Sequence, residues 1–310
     1  MQLQTVNFGD LTQGEGLQYL DEACRKWGFF ELVNHPIPQV LCDEMLSAMQ
    51  HFFALPLSDK RACERTEHNH WGFYDRELTK NVQDWKQLYD VGPEQGTCVP
   101  QWPKNEEGFR RTTEAFYGAC ESTALGLVGA IARALGEAPE FLLSGFREHS
   151  SYLRLNYYPL CSEPAPGDTP TGARRGHLGI SHHSDAGAVT ILLQDGQPGL
   201  QVERQGHWYD VSAQRGSILV NIGDVVQVWS NDRYTAPVHR VLANKHAVRY
   251  SAPFFLNPSF DSSYAPVPGV LNGDRPNYRP IQWREFREGR ARGDYADYGH
   301  EVQISDYRTR

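Results

Sequence analysis

The sequence predicts an α+β protein with a mainly β core: a helical N-terminal portion with short strands, packed on a C-terminal β-barrel or jelly roll. Three observations lead there. Before residue 150, apolar residues recur at helical spacing over long stretches. From Ser151 onward, short β-like runs follow one another. Gly, Pro, Asn and Asp separate those runs as turn formers.

Taken in order, Leu17 to Trp27 carries the apolar stripe of an amphipathic helix. A strand follows, Phe29-Phe30-Glu31-Leu32-Val33, and stops at Asn34-His35-Pro36. Pro38 to Phe53 sets Val40, Leu41, Met45, Leu46, Met49 and Phe53 at helical spacing, with proline at the first turn. Phe109 to Leu135 is a long, Ala-rich periodic stretch closed by Gly136, and is the expected scaffold helix. The β-like runs are Tyr152 to Tyr158, Ala188 to Leu193, Leu200 to Val202, Ile218 to Ile222, Val238 to Leu242 and Ala252 to Leu256. Residues 161–179 (CSEPAPGDTPTGARRGHLG) form a Pro/Gly-rich loop whose length makes it a candidate lid. The chain thus divides into a helical region, 1–150, and a β domain, 151–310, that ends in a helix or tail, the two packed as one unit.

Composition narrows the function. The 310 residues suffice for a large core, and 40% apolar with 22% charged residues is ordinary for a globular protein. A formal charge of −8 argues against a nucleic-acid surface, and Arg174-Arg175 is too short to change that. No apolar run approaches the roughly 18 residues that span a bilayer, and the N-terminal MQLQTVNFGDLTQGEG lacks a signal-peptide pattern. The six cysteines are scattered without a CxxC pair, which favours free thiols in a cytoplasmic protein over a zinc site. Oligomeric state is not legible.

The residues that carry chemistry begin with His183-Ser184-Asp185. Two residues apart on a strand, His183 and Asp185 point to one face and can reach one metal, whereas the neighbouring His182 faces away. His239, within Pro237-Val238-His239-Arg240-Val241, can complete a two-histidine, one-carboxylate triad. Such a triad leaves positions open and suits non-haem Fe(II). Each piece has a plainer alternative: twelve histidines make an isolated HxD easy to find, and a lone strand histidine is more often a packed core residue. Arg249 and Ser251 also share a strand face, where a guanidinium fork beside a hydroxyl seats a carboxylate; a surface arginine is the alternative. Arg154, Asn156 and Tyr158 alternate with Leu155 and Tyr157, so they line either one cavity or a solvated strand face. Trp71, Phe73, Tyr74 and Phe255 suit an apolar or aromatic small molecule, or core packing. Arg154, Arg174 and Arg175 hint at an acidic one.

In this order the elements resemble the plant-type and bacterial Fe(II)/2-oxoglutarate-dependent dioxygenases, the superfamily that includes isopenicillin N synthase. The resemblance runs from Trp27-Gly28-Phe29-Phe30 and Val33-Asn34-His35 through Asp84-Trp85-Lys86 and Asn156-Tyr157-Tyr158-Pro159 to His183-x-Asp185. It continues through Thr190-Ile191-Leu192-Leu193-Gln194-Asp195, Asn221-Ile222-Gly223-Asp224, Ser230-Asn231, His239-Arg240-Val241 and Arg249-x-Ser251. It implies a double-stranded β-helix (jelly-roll) core with bracing helices, and Fe(II) on His183, Asp185 and His239. It further implies that 2-oxoglutarate chelates the iron through its keto-acid end. Arg249, Ser251 and Tyr158 would hold the distal carboxylate, with Asn156 nearer the metal. Phe255 matches a position that often stacks on substrate, and Arg154 one near substrate in some members. Two departures stand out: the stretch from Pro159 to His183 is longer than in the plant enzymes, and Ala236 stands where many members carry serine.

The expected activity is oxidation of a small organic molecule by O₂, Fe(II) and 2-oxoglutarate, with succinate and CO₂ released and ascorbate stimulating. Hydroxylation is the primary outcome; desaturation or cyclisation can follow from the same chemistry. One rival is an iron oxidase of the isopenicillin N synthase type that needs no 2-oxoglutarate and uses the Arg-x-Ser pair on its substrate's own carboxylate. Another is a non-catalytic jelly-roll binding protein.

Overall fold

A computed structural model of the protein describes residues 3–12, 14–80, 82–171, 175–211, 215, 217–295 and 302–309. Its strands are β1 (Gln4–Asn7), β2 (Phe29–Val33), β3 (Gly72–Tyr74), β4 (Leu78–Thr79), β5 (Val82–Gln83), β6 (Gln87–Val91), β7 (Tyr152–Tyr158) and β8 (Leu178–His183). They continue with β9 (Val189–Gln194), β10 (Leu200–Arg204), β11 (His207–Asp210), β12 (Ile218–Ile222), β13 (His239–Leu242), β14 (Arg249–Leu256), β15 (Ser263–Tyr264) and β16 (Ile281–Gln282). The helices are α1 (Glu15–Lys26), α2 (Gln39–Ala54), α3 (Leu57–Arg61), α4 (Glu107–Ala134), α5 (Pro139–Leu143), α6 (Asp224–Trp229), α7 (Pro268–Leu271) and α8 (Trp283–Tyr295).

Two sheets make the jelly roll. The major sheet has the order β1-β2-β12-β9-β14-β7-β6-β3 and the minor sheet β11-β10-β13-β8. Side chains alternate along each strand, so every strand of the major sheet has two different neighbours to satisfy. One face of β7 and β14 supplies Leu153, Leu155, Ala252 and Phe254 to the large core beneath α2 and α4. Phe53 stacks on Tyr157 at 5.5 Å, and Tyr117 meets Phe254 edge-on at 5.0 Å. The opposite face turns toward the minor sheet, where Phe29, Leu192 and Leu219 pack with Leu200, Val202 and Val241.

The division at residue 150 marks a change of composition rather than a break in the sheet. β1, β2, β3 and β6 all come from the first 150 residues and extend the major sheet at both edges. The expected ends of β2, β7 and β12 coincide with those observed. Among the helices, α4 is long and apolar enough to cross a bilayer by length and composition, although Arg110, Arg111, Glu114, Glu121 and Arg133 interrupt the run. Its apolar stripe is spent on the core, with Phe109, Phe116, Cys120, Leu127 and Ile131 buried. All six cysteines are unpaired.

Among the described residues of the 161–179 loop, none lines the cavity that holds the candidate site. Arg240 holds the loop: one guanidinium nitrogen donates to the Thr169 carbonyl at 2.6 Å and another to the Gly167 carbonyl at 2.9 Å. Gln201 adds a bond to the Gly167 carbonyl at 3.2 Å. Arg240 follows His239 directly in β13, so its side chain leaves the opposite face of the minor sheet and carries the loop to the outside. Arg174 lies outside the described residues, and Arg175 is exposed.

Candidate active site

The two histidines come together through strand pairing. β13 runs antiparallel to β8, and His239 is directly opposite His183. Val241 opposes Ile180, so a step of two residues along β13 matches a step of three along β8. That β-bulge turns His183 to the same side as Ile180, which regular alternation would forbid. The structure corrects the sequence-derived reason for the shared direction of His183 and Asp185. β8 ends at His183, and Asp185 lies beyond it in a loop. Asp185 is aimed by its surroundings: its carbonyl accepts from Asp224 N at 2.8 Å, and its Oδ2 accepts from Asn221 Nδ2 at 2.7 Å and from the Thr190 hydroxyl. Gly223 makes this close approach possible, since a Cβ there would sit 2.3 Å from the Gly187 carbonyl oxygen and 2.7 Å from that of Asp185.

One ligand atom from each of His183, Asp185 and His239 falls within 4.8 Å of the others. Each Nε2 is 3.7 Å from Asp185 Oδ1. Their Nδ1 atoms donate to the Ser181 carbonyl at 2.8 Å and the Pro237 carbonyl at 3.0 Å, which leaves both Nε2 lone pairs facing the shared point. Burial, reinforced by the facing His239, drives the His183 pKa down to about 3 against the pull of Asp185, so this imidazole is neutral, as a metal ligand must be. Burial alone would raise the Asp185 pKa; His239, His183 and the bonds from Asn221 and Thr190 lower it, so the carboxylate is ionised. Two imidazoles with their Nε2 atoms facing one point, a carboxylate with one free oxygen and open space on the far side fit Fe(II).

The second half of the site lies across the major sheet. β14 pairs with β7 so that Arg249 opposes Tyr158 and Ser251 opposes Asn156. Parity sends Arg249, Ser251, Pro253 and Phe255 from one strand, and Tyr152, Arg154, Asn156 and Tyr158 from the other, into one cavity shared with the metal triad. Arg249 is 2% exposed and donates to Gln194 Oε1 at 2.9 Å and the Ser251 hydroxyl at 3.3 Å, with Tyr158 under its guanidinium at 5.1 Å. Among the described residues no carboxylate pairs with it. A buried guanidinium with neutral partners only calls for an anionic ligand. Asn156 Oδ1 and Gln194 Nε2 are buried without partners beside it. This set fits a dicarboxylate that spans from Arg249 to the metal, as 2-oxoglutarate would.

Comparison with known proteins agrees with the geometry. Residues 149–258 match the family model of the 2OG-Fe(II) oxygenase superfamily, and residues 3–106 match that of the non-haem dioxygenase N-terminal region named for morphine synthesis. Jasmonate-induced oxygenase 4 of Arabidopsis thaliana is 32% identical over 282 residues, covering 88% of this chain and 77% of its own. A proline hydroxylase of Petromyces alliaceus is 34% identical over 303 residues, covering 88% and 93%. The chain belongs to the 2OG-Fe(II) oxygenase superfamily. The crystal structure of JOX2 in complex with 2OG, Fe and JA matches this oxygenase with a TM-score of 0.82 and 25% identity, over 99% of this chain and 89% of the other. The rice dioxygenase for auxin oxidation shares the fold, with a TM-score of 0.78 and 23% identity over 99% and 100% of the two chains. Like its relatives, the protein is an Fe(II)- and 2-oxoglutarate-dependent dioxygenase of small molecules.

Beyond the cosubstrate pocket the oxygenase departs from the sequence-based picture. Phe73 is fully buried and packs on Phe52 at 6.3 Å, under the Lys60 ammonium. Tyr74 is sandwiched by Arg65 at 3.7 Å and Arg76 at 4.9 Å. Neither lines the cavity, because β3 is the outermost strand of the major sheet, three removed from β14. Phe255 does line it, its ring tilted against that of Tyr152 with centroids 4.8 Å apart. Arg154 lines it too, yet its charge is already neutralised: it bonds Glu77 and Asp90 through four contacts of 2.8–2.9 Å. Lys86, whose side chain is 1% exposed, joins the same cluster through Glu77 at 2.8 Å and Asp84 at 3.0 Å.

Several site residues escaped the sequence reading. Asn221 and Gln194 are polar residues inside otherwise apolar strands, a signal that was present. Arg287 and Arg290 line the cavity from α8, which was expected only as a C-terminal helix or tail without a role in the site. Arg290 pairs with Asp224 and donates to the carbonyl and hydroxyl of Ser184 at 3.0 and 3.1 Å, so it fixes the loop between the metal ligands. Removing the Asn221 amide should loosen Asp185: Asn221→Ala is expected to weaken Fe(II) binding about 10–100-fold, read by anaerobic metal titration, with the fold retained. An unchanged affinity would show that Thr190 alone orients the carboxylate.

Proposed function

We propose that His183, Asp185 and His239 carry Fe(II) in this dioxygenase, that Arg249, Ser251 and Tyr158 receive the distal carboxylate of 2-oxoglutarate, and that Asn156 lies nearer the metal end. The product is a hydroxylated small molecule, held against Phe255. The observation that carries the reading is one cavity with the triad on the minor-sheet wall and an anion-seeking Arg249 on the major-sheet wall. Iron and 2-oxoglutarate supply the O₂ activation that oxidises an unactivated C–H bond, with succinate and CO₂ as co-products. The protein's own residues position and exclude. Thr190 and Asn221 hold one Asp185 oxygen so that the other faces the metal. Ile180, Leu192, Leu200 and Val241 keep the wall between the two sites apolar and dry. Six unpaired cysteines support a cytoplasmic location.

The test is anaerobic loading with Fe(II) and 2-oxoglutarate, followed by O₂ and a metabolite screen with ascorbate present. O₂ uptake matched by succinate is expected. O₂ uptake on a substrate without succinate would instead identify the oxidase that uses Arg249 and Ser251 for its substrate's carboxylate.

A further inference from the structure

Among the described residues the cavity is lined by five cationic side chains, and four of them have an assigned counterpart. Lys86 and Arg154 are neutralised by Glu77, Asp84 and Asp90. Arg290 is paired with Asp224. Arg249 faces the cosubstrate end. Arg287 is the fifth. It lines the cavity, is half-buried, and has no hydrogen bond or ion pair among the described residues. Its place is fixed by α8. Arg287 lies one turn before Arg290 on the same side of the helix. Arg290 is tied to Ser184, between two metal ligands, so this side of α8 overlooks the cavity next to the metal loop. Arg287 also acts on Tyr152: burial raises that phenol's pKa, while the charges of Arg154 and Arg287 oppose the rise. Arg287, Tyr152 and Phe255 all line this one cavity.

We propose that Arg287 reads the carboxylate of a small organic acid that is the substrate of this oxygenase, with the acid's apolar or aromatic body over Phe255 and Tyr152. The inference rests on the reading of the metal and cosubstrate residues given above and adds the substrate class to it. A partly buried guanidinium without a counterion binds a carboxylate in a bidentate fork and gains little from an ester or amide. The acidic groups nearby do not repel such a substrate, since Lys86, Arg154 and Arg65 together balance Glu77, Asp84 and Asp90, and Arg290 pairs with Asp224. The hint of an acidic substrate in the sequence thus survives, but moves from Arg154, which is spent on Glu77 and Asp90, to Arg287.

The experiment is calorimetry on anaerobic holoenzyme loaded with Fe(II) and 2-oxoglutarate, titrated with benzoate, phenylacetate, 3-phenylpropanoate and cyclohexylacetate and with their methyl esters. At least one acid is expected to bind the unmodified enzyme about ten-fold or more tightly than its ester. Arg287→Gln is expected to erase that preference and Arg287→Lys to keep part of it. Equal binding of acids and esters, no binding of any acid, or a preference that persists in Arg287→Gln would overturn the proposal. The affinity of each variant for 2-oxoglutarate shows whether its pocket is intact, and the acid–ester comparison on the unmodified enzyme decides the matter without any variant. Failure of that enzyme to bind 2-oxoglutarate with Fe(II) would count against the cosubstrate assignment instead.

Discussion

Asp185→Ala is expected to reduce 2-oxoglutarate-dependent turnover to background while the protein still folds. Asp185 contributes the one anionic ligand of the triad, and its loss leaves two neutral imidazoles that hold Fe(II) poorly. The structural cost is small by comparison. Asn221 Nδ2 and the Thr190 hydroxyl lose their acceptor, at about 1–3 kcal/mol for each buried group left unpaired. Against that, a carboxylate no longer has to be buried beside two imidazoles, so the metal-free variant keeps most of its stability. Iron content by elemental analysis and a thermal melt of metal-free protein separate the two effects. His183→Ala should behave in the same way, since its Nε2 is aimed at the same point. An Asp185→Ala protein that retained both iron and turnover would refute the triad.

The sequence carried the site further than it carried the substrate pocket, and the reason is the range of the interactions involved. Arg249-x-Ser251 and Arg154-x-Asn156-x-Tyr158 obey strict alternation within single strands, so their shared face could be read locally, and the structure turns both sets into one cavity. His183 and Asp185 were paired correctly on an argument that holds only in part: a bulge and a loop, rather than regular alternation, bring them together. Phe73 and Tyr74 sit on a three-residue strand, too short for alternation to show which face meets the core. The 161–179 loop could not reveal its side of the sheet from its own residues; the deciding group is Arg240, whose position next to His239 already pointed away from the cavity. Arg287 and Arg290 were invisible for a different reason. The polar sequence of α8 reads as a solvated face, and Arg290 is buried only because Asp224, 66 residues away in the chain, meets it.

Arg249 offers the sharpest test of the cosubstrate pocket, because removing it should affect binding far more than folding. In Arg249→Met the guanidinium that awaits an anion is gone. Its neutral partners, Gln194 Oε1 and the Ser251 hydroxyl, lose a donor, while the cost of burying an unpaired charge is relieved. These contributions oppose each other, so metal-loaded Arg249→Met without cosubstrate should melt close to the unmodified protein. Binding of 2-oxoglutarate should fall by about 2–5 kcal/mol, the usual cost of truncating one member of a buried, hydrogen-bonded charge pair. That corresponds to a loss of roughly 30-fold or more in affinity. Arg249→Lys should recover part of it, since a lysine carries the charge but not the bidentate fork. The thermal stabilisation that 2-oxoglutarate gives the unmodified enzyme should shrink in the same order, from Arg to Lys to Met. A merely structural arginine would produce the reverse pattern, a lower melting temperature with the cosubstrate affinity intact, and that result would move the carboxylate seat elsewhere in the cavity.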